Sequence, residues 1–116
     1  MYFTINAEEN KYFILCEGSL NAASVEEFRN TVEPFINQFR APVVIDLDKV
    51  DYVSSAGIRA FLLLFRAAMN KAPETGLHFM DMVILENISP QVQQILDISG
   101  LSDSLKQWAA ERDSQV

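Results

Sequence analysis

The sequence has few of the residues that support covalent or metal-based chemistry. Cys16 is the single cysteine, so an internal disulfide is excluded, and one thiol in an apolar run is typical of a reducing compartment. His78 is the single histidine. The aspartates follow no EF-hand spacing and have no cluster of Cys or His beside them, so we expect neither a metal nor a cofactor.

Positive charge is also scarce. Lys and Arg total 9 against 16 Asp and Glu, which gives a net charge of −7. Nucleic acid is therefore excluded as a partner, because affinity for its backbone depends on basic side chains that neutralise phosphates. A protein partner or a small ligand is the better expectation.

Long hydrophobic runs are missing. The longest, AFLLLF at residues 60–65, is far shorter than the ~20 residues of a membrane span. The N-terminal stretch MYFTINAEEN has neither the basic start nor the apolar block of a signal peptide. We expect a cytoplasmic protein without direct membrane insertion. At 49% hydrophobic, the chain can build the core of one domain over residues 1–116.

Two periodicities alternate along the chain and predict an α/β fold. Apolar and β-branched runs predict strands at residues 2–6, 11–17, 42–48 and 79–86. Helical spacing predicts helices that begin near Val25, Gly57, Pro90 and Ser102. The order ββαβαβαα predicts a mixed sheet of about four to five strands packed with about four helices. The strands on either side of the second helix should be parallel.

Several local features refine these boundaries. Ser24 and Glu27 match a capping box, and Ser102 is expected to cap the last helix. Pro34 predicts either a kink or a break within the first helix, or a loop bend near the end of that helix. Residues 73–76 (PETG) predict a turn, which would place His78 in or beside the fourth strand. The β-branched run at 42–48 is typical of a central strand covered on both faces.

The stretch YVSSAGIR at residues 52–59 connects the third strand to the second helix and offers two adjacent hydroxyls. One or both of Ser54 and Ser55 can cap the helix by accepting a hydrogen bond from a free N–H. A nucleophile is disfavoured, since the hydrolase elbow needs a glycine two residues before the serine and His78 is a poor candidate base. No glycine-rich phosphate loop is present either. We therefore do not expect an enzyme.

A third interpretation makes the serine turn a phosphoacceptor. The N–H groups and the macrodipole at a helix N-terminus tolerate a phosphate, so modification would leave the fold intact. It would add a charge of about −1.5 to −2 to a surface that a partner contacts. Capping and modification are compatible with each other.

The second helix predicts a surface next to this turn. A core stripe is expected at Ile58, Phe61, Leu62, Phe65 and Met69. A strip of small residues at Ala56, Ala60 and Ala67 would let a partner backbone approach. Arg59, Leu63 and Arg66 follow at helical spacing, either as an ordinary solvated face or as a partner-binding patch together with Ser55 and Ala56.

Three segments, in order, resemble the STAS domain of bacterial anti-sigma factor antagonists and of sulfate-type transporters. Gly18-Ser-Leu-Asn21 resembles the family's Gly-x-Leu-Asp. The family's central strand and signature turn have their counterparts in Val43-Val-Ile-Asp-Leu-Asp48 and Val50-Asp-Tyr-Val-Ser-Ser-Ala-Gly-Ile-Arg59, which resemble them. The family's last segment has its counterpart in Ile88-Ser-Pro-Gln-Val92 and Ile95-Leu-Asp-Ile-Ser-Gly-Leu101.

The resemblance implies an anti-sigma factor antagonist that binds a kinase-type anti-sigma factor and is switched off by serine phosphorylation. Alignment on Gly57 makes Ser55 the phosphosite, with Ser54, which replaces the usual aspartate, as the alternative. A PP2C-type phosphatase would restore the binding form, and the protein would be a monomer or weak dimer. The alternative is a phosphorylation-independent adaptor of a transporter, lipid-trafficking complex or signalling scaffold. The predicted partner-binding residues are Asn21, Ser54, Ser55, Ala56, Gly57, Arg59, Leu63 and Arg66.

Overall fold

Strands and helices alternate along the chain in the predicted order. The computed structural model describes residues 1–114. The strands are Tyr2–Glu8 (β1), Lys11–Leu20 (β2), Val43–Val53 (β3) and Val83–Glu86 (β4). The helices are Val25–Asn37 (α1), Ser55–Thr75 (α2), Pro90–Ser99 (α3) and Leu101–Asp113 (α4). Over these residues the predicted α/β class is confirmed, with one mixed sheet of four strands packed with four helices.

The sheet has the strand order β1-β2-β3-β4. β1 and β2 form an antiparallel hairpin whose turn residues, Glu9 and Asn10, have φ of 48° and 66°. These left-handed values are typical of two-residue hairpin turns. β2 with β3 and β3 with β4 are parallel, joined by the crossover helices α1 and α2. Pairing of β2 with β3 continues to Leu20 and Val53, so the loops that follow these strands begin side by side.

The main core lies on one face of the sheet. Val43, Ile45 and Leu47 alternate along β3 into a single buried cluster to which all four helices contribute. The helical members of this cluster are Phe28, Val32, Ile36, Ala60, Phe61, Leu64, Phe65, Ala68, Val92, Leu96 and Leu101. Val44 is buried on the opposite face, outside the cluster, between its half-buried in-register neighbours Phe13 and Ile84. β3 was expected to be covered on both faces, and at the start of the strand residues on both faces are indeed buried.

α2 and β4 differ from their predicted boundaries. α2 continues through Pro73, because a proline in the last turn removes one backbone donor and leaves the earlier bonds intact. It ends at Gly76, whose φ of +74° is left-handed and whose N–H bonds the Ala72 carbonyl. Residues 79–81 form a 3-10 turn instead of the start of β4. His78 caps this turn, its Nδ1 accepting the Met80 N–H at 3.1 Å, and does not lie in a strand.

Two predicted caps take other roles. The Ser24 hydroxyl donates to the Ser19 carbonyl at 2.7 Å and accepts the Asn21 N–H at 3.0 Å, so it closes the loop before α1 and no capping box forms. Ser102 lies inside α4, whose N-cap is Gly100, and accepts a hydrogen bond from Gln93 at 3.0 Å. Buried hydroxyls need such partners. The partners of Ser24 lie just before it in the sequence, whereas the partner of Ser102 lies on another helix, α3.

α1 runs unbroken through Pro34. Pro34 is exposed and lies in the last turns of the helix, so the bond that it removes is lost on the solvent side. The expectation of a break there was wrong. The continuous α1 packs beside α2 through contacts such as Phe28 with Phe61, whose ring centroids are 5.6 Å apart.

Candidate functional site

The candidate site forms where the carboxyl ends of β2 and β3 meet. The Ser54 N–H donates to the Leu20 carbonyl at 2.8 Å and joins the two loops. Asn21 follows Leu20, and its Oδ1 accepts the Ala23 N–H at 2.9 Å, which shapes the turn into α1. Asn21 therefore holds one of the two loops that flank the serine turn. In parallel sheets this edge is where ligands and partners commonly bind.

Ser54 is the cap of α2. Its backbone is extended and its Oγ accepts the Gly57 N–H at 3.4 Å. Gly57 is buried, and a Cβ at this position would lie 2.8 Å from both the Leu20 carbonyl oxygen and Val53 Cγ1. Only glycine allows the helix to begin this close to the strand ends. The Gly57 in the signature turn is thus explained by packing, with ordinary helical backbone.

Ser55 is the first residue of α2 and is exposed. Over residues 1–114 its hydroxyl makes no hydrogen bond and is accessible to solvent. The unpaired N–H groups of the first helical turn surround this position, and they favour a negative charge. The two adjacent serines therefore divide the roles that sequence alone left open: Ser54 caps the helix, and Ser55 presents its hydroxyl to solvent.

A groove of about 680 Å³ runs between α1 and α2 beside Ser55. Four of the predicted partner-binding residues line it, namely Ser55, Ala56, Arg59 and Leu63. The other four do not line it: Asn21, Ser54 and Gly57 build the loops at its end, and Arg66 lies further along α2. The structure thus brings half of the predicted set together on one surface.

The opposite wall of the groove belongs to α1 and was not predicted. Its residues are Val25, Glu26, Arg29, Asn30 and Glu33. The last four recur at i, i+3, i+4 and i+7, a polar stripe that could have indicated a second exposed helix face. On this wall Arg29 Nη2 pairs with Glu33 Oε1 at 2.6 Å, so the positive charge of Arg29 is paired within α1.

The two walls differ in their available charge. Arg59 and Arg66 on α2 are exposed and make no ion pair with any residue in 1–114. Arg29 is held by Glu33, while Glu26 on the same wall is exposed. The groove therefore presents a free cation on α2 opposite free negative charge on α1. A partner with charges of both signs would complement it.

The core face of α2 is rotated from the predicted stripe. Leu64 is fully buried, whereas Leu62 is 41% exposed and Ile58 and Met69 are only half-buried. Within the predicted strip of small residues, Ala60 is 1% exposed, whereas Ala56 and Ala67 are half-buried. The strip is therefore only partly exposed, and Ala56 and Ala60 line the groove. Residues 62–64 are all leucine, so residue type alone does not show which of them is in the core. The packing of α2 against β3 and α1 places Leu64 there.

Comparison with known proteins identifies the fold family. A model of the STAS domain matches residues 2–114. The chain belongs to the STAS domain family. This STAS domain is 26% identical over 100 residues to BtrV of Bordetella bronchiseptica, which is assigned as an anti-sigma factor antagonist. The match covers 86% of this chain and 79% of BtrV.

Solved STAS structures share the fold of this STAS domain. The Bacillus cell fate determinant SpoIIAA in its phosphorylated form superposes with a TM-score of 0.62 at 21% identity, covering 92% of this chain and 87% of SpoIIAA. A sulfate transporter family protein of Wolinella succinogenes gives a TM-score of 0.62 at 11% identity, with coverage of 86% and 75%. Over residues 1–114, none of the helices has both the length and the apolarity needed to cross a bilayer.

Proposed function

We propose that this STAS domain is an anti-sigma factor antagonist that binds a kinase-type anti-sigma factor and is released by phosphorylation of Ser55. The observation that carries the proposal is the exposed hydroxyl of Ser55, free of hydrogen bonds within residues 1–114, at the mouth of the α1–α2 groove. A partner that docks along Arg59 and Leu63 would contact this hydroxyl directly. The domain itself would act by binding, without catalysis, in the cytoplasm.

The local structure supports a switch that works at the surface. Because Ser54 provides the cap, a phosphate on Ser55 would not remove a bond that holds α2. The helix N-terminus would stabilise the added charge by about 0.3–1 kcal/mol. Phosphorylation would therefore preserve the fold and change only the charge that a partner meets. Removal of the phosphate by a PP2C-type phosphatase would restore binding.

A second function is favoured by one residue. Ser54 stands where antagonists commonly have an aspartate, and an adaptor that is never phosphorylated would have no need of that carboxylate. The shared fold of the Wolinella succinogenes sulfate transporter family protein is compatible with such a role. In that case the same groove would bind a subunit of a transporter, lipid-trafficking complex or other signalling scaffold. Neighbouring genes for a kinase-like anti-sigma factor or for transporter subunits would separate the two functions.

The direct test combines phosphorylation with binding. The kinase-type anti-sigma factor encoded nearest to this protein, incubated with it and ATP, should add one phosphate to the native chain and to Ser54→Ala, and none to Ser55→Ala. Ser55→Asp should weaken binding at least tenfold, which corresponds to about 1.4 kcal/mol. Ser55→Ala should bind as the native chain does.

Ser104→Asp is the matched control for this test. It introduces the same charge near the start of α4, away from the groove. Its affinity should equal that of the native chain. A mass spectrum without phosphate, together with tight binding by Ser55→Asp, would reject the phosphorylation switch and favour the adaptor function.

A further inference from the structure

Arg59 follows Ser55 by four residues on α2, and both line the groove. We propose that phosphorylated Ser55 is clamped by Arg59, so that the phosphate withdraws this arginine from the partner as well as adding charge. The inference rests on the proposed function, because it describes how the switch at Ser55 acts. It differs from simple repulsion in predicting a specific ion pair inside the phosphorylated domain.

The helix geometry favours this pair. Residues at i and i+4 are neighbours on a helix surface, with their Cβ atoms roughly 5–6 Å apart. Side chains in a helix lean toward its N-terminus, so Arg59 extends back over the turn that contains Ser55. An acidic group placed four residues before a basic group is the favourable order of such a pair. Arginine also binds phosphate oxygens through two parallel hydrogen bonds.

The surrounding charges leave Arg59 as the available partner. Arg29, on the opposite wall, is held by two contacts to Glu33 Oε1, at 2.6 Å from Nη2 and 2.8 Å from Nε. Glu26 on that wall would repel a phosphate. Arg59 has no ion pair within residues 1–114 and is exposed. A phosphate on Ser55 is therefore repelled by the carboxylate on α1 and attracted toward Arg59.

Arg66 provides the matched control within the same helix. It too is exposed and unpaired in the described part of the chain, but it follows Ser55 by eleven residues. At a rise of 1.5 Å per residue this separation is about 16 Å along the axis, beyond the reach of a direct pair. Neutralising Arg66 changes the net charge of the protein as much as neutralising Arg59. Only the local pair distinguishes the two variants.

The test uses full-length protein with phosphoserine inserted at position 55 during translation, followed by a phosphorus NMR titration. The second pKa of the phosphate should rise by about 0.3 units or more in Arg59→Gln, since a nearby cation favours the dianion. Arg66→Gln should leave that pKa unchanged. The difference should shrink in high salt, as expected for an exposed pair. Equal pKa values in the native chain and Arg59→Gln would overturn the clamp, and so would equal rises in both variants.

Affinity for the anti-sigma factor provides a second, independent measurement of the clamp. In the native background, inserted phosphoserine should weaken binding to the anti-sigma factor more than it does in Arg59→Gln, because that variant has already lost the arginine that the phosphate withdraws. A phosphate penalty of equal size in both backgrounds would contradict the clamp. Failure of the kinase to modify Ser55 would count against the proposed function alone, because the titration does not depend on the kinase.

Discussion

At the scale of single residues, the site depends on two adjacent serines with different environments. Ser54 is half-buried, its N–H is bonded to Leu20 and its hydroxyl to Gly57, whereas Ser55 is exposed with a free hydroxyl in the described structure. One peptide unit separates a structural role from a proposed regulatory one. Because Ser54 already provides the cap, the Ser55 hydroxyl is not needed to hold the start of α2.

The two serines should therefore differ in their effect on stability. Ser54→Ala removes the cap of α2 and should lower the free energy of unfolding by about 1 kcal/mol. Ser55→Ala loses no hydrogen bond and should change it by less than about 0.5 kcal/mol. Urea unfolding followed by circular dichroism measures both values. Equal losses in the two variants would contradict the division of roles between the serines.

At the scale of whole elements, alternating patterns were sufficient to predict four strands, four helices and the parallel crossover around α2. The predicted boundaries are wrong where contacts between residues distant in sequence determine the structure. Phe79 is apolar enough for a strand, but it packs edge-on against Trp108 with centroids 5.5 Å apart, and the chain turns there before β4 begins. Pro73 is a breaker by composition and is tolerated because the helix has nearly ended.

The site shows the same division between local and tertiary information. The serine turn and the α2 side of the groove were predictable, because their residues are contiguous or helically spaced. The α1 wall was not, because no local pattern shows that Glu26 and Arg29 face Arg59 across a groove. A sequence shows which faces of a helix are polar. Only the packing of α1 against α2 shows which polar faces meet.

Two adjacent leucines on α2 should differ in their effect on partner binding, because only one of them lines the groove. Leu63 lines the groove, whereas Leu62 is 41% exposed and does not. Leu63→Asp should weaken binding to the anti-sigma factor at least tenfold, because a charge would replace apolar contact in the centre of the interface. Leu62→Asp should leave affinity unchanged.

Both variants add one carboxylate to the same helix turn, so a difference between their affinities reports which side of α2 the partner contacts. Titration calorimetry measures the affinities, and thermal unfolding checks that both variants remain folded. Equal affinities of Leu62→Asp and Leu63→Asp would show that the partner does not use the groove. If only Leu62→Asp weakened binding, the partner would contact the face of α2 that points away from α1.

At the scale of the whole molecule, the core on one face of the sheet ties distant segments into one unit. Cys16 on β2 is 0% exposed in this core, with residues of α1, α2 and α3 in the same cluster. Burial, followed by the negative charge of Asp46, raises the pKa of the Cys16 thiol from 9.0 to about 12. A thiolate is thus excluded from the native core, and its ionisation is linked to global unfolding.

The linkage predicts alkaline destabilisation. The native thiol stays protonated up to about pH 12, whereas the unfolded thiol ionises near its ordinary pKa of 9.0. Unfolding between these values releases one additional proton, so this contribution to stability is fully present below pH 9 and declines above it, by about 1.4 kcal/mol per pH unit.

Urea midpoints from pH 8 to 11 measure the decline. Cys16→Ala serves as the reference that subtracts every contribution to this pH dependence except that of the thiol. At neutral pH the variant should be less stable, because it leaves a cavity. The two stability curves should then converge as the pH rises, since only the native chain loses the thiol's contribution. Parallel curves would mean that the Cys16 thiol ionises equally well in the folded and unfolded chain.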